Sequence, residues 1–228
     1  MAIICHLLYG PPGSGKTTFI KNFLVSPENY YLSVGDITRK YIQLDDEMGQ
    51  KLNAFLKADQ PYPKELIGSL IARELQEVNS GNIYQVFIDG YPKYEEEVSS
   101  FFSLVSKFNL IRGNIILMHL SLPEIRRRIR DRWICSKCLL QVDSEIAGEC
   151  HRCGGSLNKR VDDSHTLIGK RYQDYLLSIW QVVPILVSGS LSLIHLDAQQ
   201  APMEMYRSYV KKSICPSSSA GRVLTIVR

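Results

Sequence analysis

The stretch Gly10-Pro11-Pro12-Gly13-Ser14-Gly15-Lys16-Thr17-Thr18 constrains this chain more than any other. It fits the pattern G-x-x-x-x-G-K-[ST], and its surroundings fit too. Ile3 to Tyr9 reads as a buried strand, while Phe19, Ile20, Phe23 and Leu24 mark one face of a helix. Strand, glycine-rich turn and helix together make a phosphate-binding loop. The glycines let backbone N–H groups turn inward and the helix adds its positive end. Lys16 reaches the outer phosphates, and the Thr17 hydroxyl suits Mg²⁺.

Further apolar runs at Tyr30–Val34, Tyr84–Ile88, Ile115–Leu120 and Leu191–Leu196 alternate with helical patterns. This alternation predicts an α/β fold, a doubly wound parallel five-stranded sheet with helices on both faces. Asp36 is expected to cap the second helix, and Asp89 to stand at the carboxyl end of a strand, where α/β sheets build their sites. Asp162-Asp163 is expected to start a long helix that runs to about Gln181 and is ended by Pro184. A last helix covers roughly Met203 to Lys212, followed by a serine-rich tail.

Composition narrows the class. The 228 residues are 45% hydrophobic and 22% charged, ordinary for a globular protein, and a net charge of +4 is too mild for a dedicated nucleic-acid binder. No apolar run approaches the roughly twenty residues of a membrane span, and the N-terminus lacks a secretory signal. A cytoplasmic protein with no membrane or nucleic-acid partner is therefore expected. Of six cysteines, four fall in two knuckles, Cys135-x-x-Cys138 and Cys150-x-x-Cys153. That spacing supplies four thiolates for tetrahedral Zn²⁺, and four protein ligands leave no open position, so the role is structural. His151 lies inside the second knuckle and is read as solvent-facing, and Cys5 and Cys215 are left as free thiols.

Taken together, Gly10 to Thr18, Ser33-Val34-Gly35-Asp36-x-x-Arg39, Val86 to Lys93, the two knuckles, and Lys159 to Asp163 leading to Lys170-Arg171 resemble the adenylate kinases, in the form whose lid carries zinc. The blocks match in order and spacing from about Ile3 to Leu196. The resemblance implies reversible transfer of the γ-phosphoryl of Mg-ATP to a nucleoside monophosphate by a monomer. It implies a core with the phosphate loop (1–32), a mobile monophosphate-binding segment (33–63), more core (64–132), a zinc-binding lid (133–160), a final core section (161–214) and a flexible tail (215–228). ATP would meet the loop from Gly10 to Thr18 together with Arg128, Arg132 and Gln200, with Mg²⁺ reached indirectly by Thr17 and Asp89. The monophosphate would meet Val34, Arg39, Gln60, Pro61, Tyr62, Gly90, Tyr91, Pro92, Lys93, Glu97, Arg160 and Arg171. Lys16, Lys93, Arg128, Arg160 and Arg171 would surround the transferring group. Arg126, Arg127 and Arg130 are read as a solvated helix face, and Asp162 and Asp163 as capping their helix while positioning the lid.

Three positions depart from the family on the acceptor side. Lys93 replaces an arginine, exchanging a planar fork for a point charge. Val34 stands where adenylate kinases have threonine and pyrimidine monophosphate kinases alanine. Glu97 replaces a glutamine that reads adenine, and a carboxylate only accepts. Two readings of Glu97 stand: it faces the base and weakens AMP preference toward GMP or CMP, or it faces solvent while backbone near Gln60 to Tyr62 reads the base. The span between the knuckles is also short, and Gly169 softens its helix. Two other functions compete with the kinase: a weakly active nucleotide-binding regulator, and an ATP-driven nucleic-acid handler. The latter ranks last, because Trp133, Lys137, Arg152 and Lys159 make only a modest basic and aromatic showing around the knuckles.

Overall fold

The computed structural model describes residues 2–24, 26–44, 46–58, 60–79, 81–130, 132–138, 140–142, 148–159 and 165–214. The expectations for Arg160, Asp162, Asp163, Cys215 and the tail 215–228 lie outside these residues. The main sheet has five parallel strands in the order β2-β3-β1-β4-β8: β1 (Ile4–Tyr9), β2 (Asn29–Ser33), β3 (Gln85–Asp89), β4 (Ile111–His119) and β8 (Ser192–Asp197). Side chains alternate between its faces, as the two-residue period of a strand requires. Cys5, Leu7, Tyr9, Val86, Ile88, Ile115 and Leu117 join one core, and Leu8, Phe87, Ile116 and Met118 join the other.

Helices cover both faces. On the first lie α2 (Val34–Leu44), α3 (Glu47–Lys57), α4 (Lys64–Asn79) and α5 (Val98–Lys107). The second is packed by α1 (Lys16–Phe23), α6 (Leu122–Arg130) and α9 (Pro202–Ile214). Between α6 and α7 (His165–Leu177) the chain makes a small antiparallel sheet of β5 (Trp133–Cys135), β6 (Gln141–Val142) and β7 (Leu157–Asn158), ordered β6-β5-β7. At its base Lys159 Nζ donates to the Arg130 carbonyl at 2.5 Å and sits 4.1 Å above the Trp133 ring, binding the outgoing chain to the incoming one. No helix among the described residues is long and apolar enough to cross a membrane.

Two local expectations are corrected. The second helix begins at Val34, the last residue of the expected strand run, and Ser33 rather than Asp36 caps it: Ser33 Oγ accepts the Asp36 N–H at 3.3 Å. The Asp36 carboxylate pairs instead with Arg39 at 2.6 Å. Nor does Pro184 end the helix that carries Arg171. After Leu177 the backbone widens into a π-turn over Ser178–Val182 and continues as α8 (Val183–Ser188), with Pro184 in its first turn, where a missing N–H costs nothing. Ser178 Oγ lies 2.9 Å from both the Asp174 and Lys93 carbonyl oxygens and has one hydrogen to share between them, linking the π-turn to the turn after β3.

One buried polar group has a consequence for stability. The pairing of β1 with β4 slips between Cys5 and Leu7, and the His6 ring fills the bulge, where a Cβ on Gly113 would come within 2.8 Å of it. The Asn114 N–H donates to His6 Nδ1 at 3.1 Å, so the ring proton is on Nε2, facing Gln85 Oε1 at 3.1 Å. Burial pushes His6 down to about 4, and burial with the neighbouring His195 pushes His119 there as well. The folded state therefore refuses protons that unfolded histidine accepts below about 6.5, so stability is full above that pH and is lost as pH falls toward 4. The melting temperature should fall between pH 7 and 5, with His6 contributing on the order of 1–2 kcal/mol. His6→Asn should flatten the profile; an unchanged slope in that variant would contradict this assignment.

Candidate active site

At the carboxyl end of β1 the chain turns through Gly13 and Gly15, with φ 75° and 82°, and enters α1 at Lys16. A side chain at these angles would be strained, and glycine removes the strain. Gly15 occupies the N-cap position and no side chain caps the helix, so its first amides remain directed at the loop's concave side. There a cavity of about 560 Å³ opens. Ser14 Oγ, buried in the loop, has no hydrogen-bond partner among the described residues. Lys16 Nζ donates to the Gly10 carbonyl at 2.7 Å and lies 3.9 Å from Asp89 Oδ1.

The cavity wall brings together much of the expected set: Pro12 to Thr18, Arg39, Asp89, Gly90, Arg128, Arg132, Arg171 and Gln200. Arg127 also lines it, although its guanidinium is held at the rim by Glu124. Six cations thus face two carboxylates, those of Asp36 and Asp89. Such a concave excess of positive charge suits a polyanion. Arg128 is held on three sides: Nε donates to Glu124 Oε1 at 2.7 Å, Nη1 to the Gly13 carbonyl at 3.3 Å and Nη2 to the Ala198 carbonyl at 2.9 Å. Hydrogen bonds from Arg127 and Arg128 hold Glu124 at about 2, so the clamp is charged at any physiological pH. Arg39 contributes Nη2 to Asp36, and its buried Nε is unpartnered among the described residues.

The remaining acceptor-side residues stand outside this wall. Val34 lines a narrow crevice with Ile37, Thr38, Ile67, Leu70 and Ile71. Gln60 and Pro61 are exposed, and Tyr62 packs edge-on against Phe55. Tyr91 is buried against Phe101, and the Pro92 carbonyl accepts from Tyr9 OH at 2.5 Å. Lys93 Nζ is paired with Asp174 at 2.7 Å and lies over the Tyr94 ring. Glu97 corrects the expectation of a solvent-facing side chain: it is only 4% exposed, and its Oε2 accepts the Lys93 N–H at 2.6 Å and the Tyr94 N–H at 3.2 Å. One carboxylate oxygen is therefore spent on shaping the turn after β3, leaving Oε1 alone for any base.

Gln141 of β6 also lines the cavity and was not foreshadowed by any motif, because only the folding of the knuckle insertion brings it there. From the opposite side, α2 reaches the same insertion through Gln43 Nε2, which donates to the Ser136 carbonyl at 3.0 Å.

The four knuckle cysteines converge, their Sγ atoms all lying within 4.8 Å of one another. The Cys135–Cys153 and Cys138–Cys150 pairs are 3.4 and 3.6 Å apart. Tetrahedral zinc at its usual sulfur distance would space the sulfurs by about 3.8 Å, so the cluster fits that ion. Cys135 Sγ accepts backbone N–H groups from Lys137 and Cys138 at 3.3 and 3.5 Å, and a Cβ on Gly155 would lie 2.7 Å from it. His151 is exposed and outside the cluster. Cys5 is a free thiol that burial pushes up to about 12.

The family model described as Adenylate kinase matches residues 8–187. Among curated relatives, the adenylate kinase of Pyrococcus furiosus is 31% identical over 182 residues, covering 78% of this chain and 81% of the relative. The adenylate kinase of Thermosipho africanus is 27% identical over 179 residues, covering 76% and 83%. With the phosphate loop, the parallel sheet and the four-cysteine insertion already in place, these matches settle the family: the chain belongs to the adenylate kinases and is a phosphotransferase.

Proposed function

We propose that the protein reversibly transfers the γ-phosphoryl group of ATP to AMP, giving two ADP. The observation that carries this reading is the single cavity that joins the phosphate loop to Arg39, Arg128, Arg132 and Arg171. Phosphoryl transfer needs no covalent nucleophile from the protein; it needs two nucleotides in line and fixed positive charge around the moving group. In this reading the loop amides and Lys16 hold the ATP phosphates, and Arg132 and Gln200 hold the rest of ATP. Arg128 and Arg171 neutralise charge on the transferring group, aided by Arg160. Arg39 and Lys93 meet the phosphate of AMP. Because Lys93 faces Asp174, an incoming phosphate must draw the ammonium from that partner, and AMP binding is weaker for it. AMP is favoured over other acceptors by the names of the relatives.

The Thr17 hydroxyl and the Asp89 carboxylate, both on the cavity wall, form a hard oxygen donor set that fits Mg²⁺ held partly through water. When bound with ATP, Mg²⁺ neutralises phosphate charge. Segments 33–63 and 133–160 are proposed to close over the nucleotides and exclude water, which otherwise accepts the phosphoryl group. Zinc would be held by Cys135, Cys138, Cys150 and Cys153, giving a fixed shape to a small insertion whose own apolar cluster of buried residues among the described ones is Cys135, Cys150 and Leu157. We further propose a monomer that acts in the cytoplasm, in keeping with its free cysteines.

Three outcomes follow. In a coupled assay with Mg-ATP, AMP should exceed GMP, CMP and UMP by at least about tenfold in kcat/KM; preference for another base would overturn the acceptor assignment. Glu124→Ala should lower kcat/KM for ATP by roughly tenfold by releasing Arg128, with the AMP KM little changed. A loss within twofold would show that the carbonyls of Gly13 and Ala198 hold Arg128 unaided. Metal analysis should find one zinc per chain, and Cys150→Ser should abolish it while lowering the melting temperature by at least about 3 °C, the shift that roughly 1 kcal/mol produces in a chain of this size. Zinc-free protein of full stability and activity would remove the zinc assignment.

A further inference from the structure

Behind the cavity wall, Tyr31 of β2 stands between the two residues assigned above to the metal. Its hydroxyl donates to Asp89 Oδ2 at 2.7 Å and lies 3.2 Å from Thr17 Oγ1. Tyr31 does not itself line the cavity. The β2–β3 register places Tyr31 beside Phe87, two residues before Asp89, and α1 brings Thr17 to the same point from the other side of the loop.

Counting protons gives this arrangement a direction. A carboxylate has no hydrogen to donate, so the Tyr31 hydrogen is the one between Tyr31 and Asp89. The Tyr31 oxygen then has only lone pairs left for Thr17, so the Thr17 hydroxyl must be the donor in the second bond. A hydroxyl that ligates a cation offers a lone pair and needs somewhere else to put its hydrogen. We propose that Tyr31 is a positioning residue for the metal site: by taking the Thr17 hydrogen and giving its own to Asp89, it turns the Thr17 lone pairs toward Mg²⁺ and fixes the Asp89 carboxylate for the metal's water shell. Asp89 Oδ1 remains on the Lys16 side, so the two oxygens of one carboxylate are held in different directions. Partners of this kind, one shell out from the metal, commonly change affinity or rate by ten- to a hundredfold when lost.

This inference rests on the reading of Thr17 and Asp89 as the magnesium pair, and the test separates the two. Mn²⁺ is titrated by electron paramagnetic resonance into protein saturated with a non-hydrolysable ATP analogue, a readout that needs no turnover. Wild-type protein should hold Mn²⁺ more tightly than the free analogue does. Tyr31→Phe should lose about three- to tenfold in that affinity while binding the metal-free analogue within twofold of wild type. In the kinase assay the Mg²⁺ concentration giving half-maximal rate should rise by a similar factor. Tyr31→His, which can keep an N–H donor to Asp89, should lose less. Wild-type protein that holds Mn²⁺ no better than free analogue would sink the magnesium pair itself. A wild-type gain that Tyr31→Phe retains, or equal losses in Tyr31→Phe and Tyr31→His, would overturn the role of Tyr31 alone. A merely structural phenol would lower the melting temperature and leave both metal midpoints where they were.

Discussion

The positive-φ turn from Gly13 to Gly15 is the constraint on which the rest of the site depends. It ends a strand buried on both faces and starts a helix with no side-chain cap, leaving a row of amides aimed into solvent-accessible space. Backbone donors in that arrangement suit an anion. Every other site feature is placed relative to this turn. Asp89 ends the neighbouring strand, Arg128 reaches the Gly13 carbonyl from α6, and Tyr31 and Thr17 meet beside the first turn of α1.

The cations show how a site can be highly charged and still ordered. Lining arginines would repel one another in a half-enclosed space if each were held only by its own stem. Arg128 is fixed by a carboxylate and two carbonyls from different elements, and Arg39 by Asp36. Two of these four anchors are backbone carbonyls, which orient a guanidinium without cancelling its charge, and the lining cations outnumber the lining carboxylates. The net positive field is therefore kept for the ligand. The acceptor side is built differently. Lys93 is neutralised by Asp174, and the Glu97 carboxylate is partly consumed by the turn that carries Lys93. That turn is pinned to the π-turn through Ser178, so its shape is set by the core rather than by the nucleotide.

The fold class and the two strongest motifs were legible in the sequence because each is local. The phosphate loop is one continuous stretch, the knuckles are two, and strand–helix alternation is a periodic signal. What stayed hidden depends on which strands become neighbours. Tyr31 reads as one more apolar residue in a β run until the order β2-β3-β1 brings it against Asp89. Gln141 belongs to a two-residue strand that only the knuckle insertion creates. Pro184 looked like a stop because proline breaks helices in their interior, but a π-turn just before it resets the count and makes it a first-turn residue. Glu97 carried a family-based expectation about base reading. The nearer demand, two backbone N–H groups in a tight turn, claims one of its oxygens instead.

The central claim is that one cavity holds two adenine nucleotides with their phosphates facing each other. A bisubstrate ligand, two adenosines joined by a pentaphosphate chain, tests it most directly by calorimetry. The account predicts one ligand per chain, bound at least a hundredfold more tightly than ATP, because a molecule that spans donor and acceptor approaches the geometry of transfer. Binding no tighter than ATP, or two ligands per chain, would contradict it.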